Sequence, residues 1–98
     1  MANYVISFRV PADYKPTAET PNEWKDWFGG LGPALVDVGR AMTDYASAGE
    51  VGGSGSRMVA YSVVDAESLD AALALAKESP VMRAGGGVEV GPQMVVGA

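Results

Sequence analysis

At 98 residues the chain is sized for one small domain, and a composition of 48% apolar and 19% charged residues supplies a core instead of the profile of a disordered segment. Twelve acidic against seven basic residues set the net charge at −5, and the cations are scattered along the chain, which argues against nucleic-acid binding. Cysteine and histidine are both absent, which removes disulfides, thiolate nucleophiles, zinc–sulfur sites and imidazole general bases together.

Tyr4-Val5-Ile6-Ser7-Phe8-Arg9-Val10 alternates with β-branched and aromatic residues and stops at Pro11, which has no N–H for a sheet ladder, so a strand is predicted over 3–10. Pro11, Asp13, Pro16 and Thr17 mark a loop. Thr20-Pro21-Asn22-Glu23 then has the form of a capping box, with Thr20 as N-cap, Pro21 at the first helical position and Glu23 three residues beyond the cap. Trp24, Trp27, Phe28, Leu31, Leu35 and Val38 recur at helical spacing and predict one apolar stripe, with Asp37 near the end of the first helix. Gly29, Gly30, Gly32 and Pro33 weaken its middle, and a kink or restart is expected at 30–33.

A strand is expected across Arg40–Ala46, a glycine-rich turn across 49–56 and a second strand over Met58–Val64, the pair forming a hairpin. Ser68 reads as the N-cap of a helix whose apolar positions are Leu69, Ala72, Leu73 and Ala76, and Pro80 stops it near Ser79. Gly85-Gly86-Gly87 opens a turn into a last strand at Val88-Glu89-Val90, with Met94-Val95-Val96 as a continuation beyond Pro92.

The order β-α-β-β-α-β over a single domain, residues 1–98, predicts an α+β, ferredoxin-like fold: an antiparallel four-stranded sheet with two helices on one face. On the strand at 58–64, strict alternation puts Met58, Ala60, Ser62 and Val64 on one side and Val59, Tyr61 and Val63 on the other, and neither side looks wet. An apolar sheet face left without helices predicts a second copy laid over it, so a homodimer is expected.

The last third reads Val63-Val64-Asp65-Ala66-Glu67-Ser68-Leu69-Asp70-Ala71-Ala72-Leu73, then Ala76-Lys77-Glu78-Ser79-Pro80, then Ala84-Gly85-Gly86-Gly87-Val88-Glu89-Val90. In this pattern, and in Trp24-Lys25-Asp26-Trp27-Phe28 followed by Leu31-Gly32 and Ala34-Leu35-Val36-Asp37, the chain resembles the YCII-related family. The match runs over nearly the whole chain and is weakest at 40–57. The resemblance implies a dimeric α+β barrel. Members of that family proposed to be enzymes, among them a dehydrochlorinase acting on a chlorinated muconate-type acid, are associated with a histidine on the first helix and an aspartate before the proline that ends the second. Here there is no histidine and Ser79 precedes Pro80, while Gly52-Gly53-Ser54-Gly55 stands where another branch carries Asp-Gly-Pro-Phe. The resemblance therefore supports fold and dimer more than catalysis.

Five residues are candidates for contacting a ligand. Arg9 and Ser7 share the strand face opposite Tyr4, Ile6, Phe8 and Val10, and with Tyr61 they can point into the space between two sheets, where a guanidinium suits a carboxylate. The plainer reading of Arg9 is a strand-end cation paired with a surface acid. Asp37 reads most simply as a solvated acid at a helix end and otherwise as a group facing that space; Ser79 takes the position of the family's aspartate. The Trp24, Trp27 and Phe28 set fits a core or interface stripe better than a stacking site. The glycine loop does not make a phosphate loop, because Ser56-Arg57 and a strand follow it where a lysine and a helix are required.

No cofactor and no metal site are expected. No signal peptide or membrane span is visible, and cytoplasm is the expected location. The preferred function is a non-catalytic homodimeric domain that binds a small apolar or anionic molecule between its sheets. A cofactor-independent lyase or isomerase acting on a small organic acid through Asp37, Ser79, Tyr61 or Arg9, and an accessory module acting on another polypeptide, stand as the alternatives.

Overall fold

A computed structural model describes residues 2–51 and 55–94. Its first strand, β1 (Ala2–Pro11), alternates as its sequence does: Tyr4, Ile6, Phe8 and Val10 are buried, and Val5, Ser7 and Arg9 are half-exposed on the opposite face. Burying one face of an isolated strand requires a cover, and two helices supply it. Helix α1 (Thr20–Leu31) buries Trp27 and Leu31 against that face. Its indoles meet Phe8 edge-on, with ring centroids 4.9 Å (Trp24) and 5.5 Å (Trp27) away. Helix α2 (Leu69–Ala76) presents Ala72 and Ala76, both fully buried, so it lies close to the sheet. The Trp27 indole donates to the carbonyl of Leu75 at 3.3 Å and ties the two helices together.

Strand β2 is Leu35–Ala41, β3 is Ser56–Ala66 and β4 is Gly87–Pro92. The sheet order is β2-β3-β1-β4 with every described pairing antiparallel, which is the ferredoxin-like arrangement expected from the element order. Val88 and Val90 of β4 stand opposite Phe8 and Ile6 and complete the core under α2. Among the described residues no helix is long and apolar enough to cross a membrane.

Five local readings change. The Thr20 side chain does not cap α1: the cap position is Glu19, and the Thr20 hydroxyl oxygen accepts from the amide of Thr17 at 2.9 Å, closing the preceding turn instead. The first helix does not reach Asp37. It stops at Leu31, because Gly32 takes φ +55° and opens a 3₁₀ turn over Gly32–Ala34, and Leu35, Asp37 and Val38 belong to β2. The expected strand at 40–46 is this same β2, displaced toward the N-terminus. Helix α2 begins where expected, with Ser68 Oγ accepting from the Ala71 amide at 3.1 Å, but its regular part ends at Ala76. Single turn bonds from Glu78 and Ser79 then lead to a 3₁₀ turn at Pro80–Met82. Met94 lies outside any strand, and Val95 and Val96 fall outside the described residues.

Three register shifts, one between β1 and β3 and two between β2 and β3, reset which residues face which side. On β3, Phe8 stands opposite Ala60 but Arg9 stands opposite Met58, so Val59 is an extra residue. Beyond it the alternation inverts. Met58 joins Arg9 on the open face, and Arg57, paired with the buried Val10, joins the helix side, correcting the strict alternation read from sequence. On β2 the register slips between Leu35 and Asp37 and again between Asp37 and Arg40. There the Asp37 carboxylate accepts from the Gly39 amide at 2.8 Å, and the buried Ser62 hydroxyl donates to the Val38 carbonyl at 2.8 Å.

Candidate functional site

The bulges matter because the helix side of the sheet is not filled beneath the N-terminal half of α1. A cleft of about 760 Å³ opens there, within the range typical of small-molecule sites. Its floor is Val10, Val59, Ala60 and Ser62, its roof Trp24 and Phe28, and its sides the Val38–Thr43 edge and the 14–17 loop. Pro80, Val81 and Arg83 close the far end. Most of this wall is apolar. A small aromatic or aliphatic body therefore has a surface to leave water for, at about 25 cal/mol for each Å² of apolar area covered.

The charge at the cleft is opposite to that of the chain. Four of the seven lysines and arginines border it (Lys15, Arg40, Arg57 and Arg83), against one of the twelve acids, Glu23. Glu23 is itself 3.8 Å from Arg83 in an exposed ion pair, which is worth little in water. Arg40 stands opposite Tyr61 in register, directs a donor to the Gly39 carbonyl at 2.9 Å and meets the cleft at its edge. Arg57 differs. Its guanidinium carbon lies 5.1 Å from the centroid of the Tyr45 ring, and its Nη1 is buried with no hydrogen-bond partner among the described residues. No carboxylate of the described residues forms an ion pair with it.

The five candidates read from sequence lie elsewhere. Ser7 and Tyr61 are directly opposite each other on the open sheet face, and Asp37 and Arg9 share that face, so these four are gathered on one surface. Arg9 is spoken for: its Nε donates to Ser56 Oγ and its Nη2 to the Ser56 carbonyl, both at 3.1 Å. Asp37 is exposed, on a strand edge and not on a helix. Ser79 is apart from the other four, fully buried, and its hydroxyl has no hydrogen-bond partner among the described residues. None of the five lines the cleft.

An unsatisfied buried hydroxyl costs about 1–3 kcal/mol of desolvation, so Ser79→Ala is expected to leave stability unchanged or raise it by up to about 1 kcal/mol. Urea denaturation checks this, and a loss above about 1 kcal/mol would mean that Ser79 has a partner. Among the described residues no group of three or more acids is placed to hold a metal ion. No family model, curated protein or solved structure matches the chain.

Sequence reasoning missed Arg57 because its position depends on the Val59 bulge. The one hint was a cation at the start of an otherwise apolar strand.

Proposed function

We propose that the protein is a non-catalytic, homodimeric member of the YCII-related family, a dimeric α+β barrel whose task is to hold a small molecule with an apolar body. The cleft beneath α1 carries this reading: it is of ligand size, walled by Trp24, Phe28 and Val59, and bordered by cations in an acidic chain. The reading moves the ligand from between two sheets to the helix side of one sheet. The absence of histidine and the Ser79-Pro80 step support binding over catalysis.

Nile red, a neutral fluorescent probe, tests the cleft. Saturable binding of one molecule per chain is expected, with at least a tenfold loss in Val38→Trp, which places an indole at the half-exposed margin of the cleft. Absence of saturable binding, or binding indifferent to that substitution, overturns the reading.

The dimer part rests on the open face. Val5, Met58, Tyr61 and Val63 form its apolar middle, and one row across the strands reads Arg40, Tyr61, Ser7, Glu89. A two-fold axis parallel to the strands lays β2 over the partner's β4. It sets Arg40 against the partner's Glu89 and Tyr61 against the partner's Ser7. Sedimentation at micromolar concentration is expected to give a dimer. Glu89→Arg should weaken it at least tenfold, and adding Arg40→Glu to that variant should restore it. A monomeric wild type rejects the dimer.

A further inference from the structure

Resting on the reading of the cleft as a binding site, we infer that its ligand is an apolar monocarboxylate, and that Arg57 anchors the carboxylate.

A guanidinium offers five N–H donors in a planar fork, and a buried one is satisfied by acceptors or counter-charges. Arg57 has neither in full: among the described residues Nη1 is buried without an acceptor and no carboxylate forms an ion pair with the guanidinium. Tyr45 stacks on the fork but supplies a ring face and not an oxygen. The β3 bulge brings this cation from the open face to the cleft, beside the apolar floor of Val10 and Val59. An arginine retained without a carboxylate, at the wall of an otherwise apolar cleft, is complementary to a ligand that brings the carboxylate itself.

The head group follows from the charge present. A single unpaired guanidinium matches one planar, singly charged carboxylate in bidentate geometry, whereas a phosphate dianion asks for further donors that the apolar floor lacks. Lys15 and Arg83, on the other bordering segments, add a general attraction for anions at the mouth. The body of the ligand lies along Trp24 and Phe28, whose rings provide the roof.

Titration of the full chain with decanoate, decanol and decyl phosphate below their aggregation concentrations, followed by tryptophan fluorescence and calorimetry, tests this assignment. Decanoate is expected to bind at least tenfold more tightly than decanol and more tightly than decyl phosphate. Arg57→Met should bring decanoate down to the affinity of decanol while leaving decanol unchanged, and Arg57→Lys should keep part of the preference, as charge survives and the fork does not. Far-UV circular dichroism and thermal melting establish that each variant is folded; if Arg57→Met is not, the Arg57→Lys comparison decides. Equal binding of decanoate and decanol by the wild type overturns the anchor, as does a decanoate preference that survives Arg57→Met or a stronger affinity for decyl phosphate. In each of those cases Nile red still reports on the cleft, so loss of the anchor is distinguishable from loss of the site.

Discussion

Gly39→Ala is expected to remove roughly 3–5 kcal/mol of stability, a large share of the 5–15 kcal/mol typical of such a domain. Gly39 sits in the β2 bulge with φ +77°, a region that costs a residue with a side chain roughly 1–3 kcal/mol. A Cβ built there would also come within 1.8 Å of the Tyr61 carbonyl oxygen, a backbone atom of the neighbouring strand that no rotamer change can move. Relief requires β2 to leave β3, and with it the Asp37–Gly39 and Ser62–Val38 hydrogen bonds that hold the bulge. For a chain of this length each kcal/mol moves the melting temperature by about 4–8 °C, so a fall of at least about 12 °C is expected by circular dichroism. A shift under about 3 °C would mean that β2 does not follow this path.

Phe8→Ala is expected to cost about 3–5 kcal/mol through the transfer of its ring and the void it leaves. The ring is fully buried and is met edge-on by both Trp24 and Trp27, which are themselves 5.9 Å apart. Its removal takes away the ring that both indoles meet edge-on and leaves them their tilted contacts with Phe28. Near-UV circular dichroism of the tryptophans should therefore weaken together with the denaturation midpoint. Phe8→Leu keeps most of the volume and should cost less than half as much. A midpoint unchanged in Phe8→Ala would place the core elsewhere.

The two substitutions also mark what can and cannot be read from this sequence. Phe8 is legible: a strand with period-2 burial announces its inner face, and Tyr4, Ile6, Phe8 and Val10 are buried as their spacing dictates. The Ser68 cap is legible for the same reason, since an N-cap is a local bond between neighbours. Leu35 to Val38 are not, because apolar residues three and four apart continue a helical stripe as readily as they begin a strand. The decision fell to Gly32 and Pro33 and to the β-branched pair Val36 and Val38. Thr20 had the right neighbours for a cap, yet its oxygen found the Thr17 amide first. The candidate site was the least legible part. Ser7, Arg9, Asp37 and Tyr61 lie on one face, but the cleft lies on the other, where register slips without motifs decide which side chains arrive.

The extra residue at Val59 has one more consequence, in how such a chain can change over generations. Deleting that residue would restore simple alternation on β3 yet leave Met58 opposite Arg9 and Arg57 opposite Val10, so the cleft would keep its unpaired cation and lose only the valine of its floor. The residues on the Ala60–Ala66 side of the bulge would keep their pairing with β1 and hence the core. The loss of one codon, with no codon rewritten, is thus enough to reshape the apolar floor of the pocket while its cation and the scaffold persist.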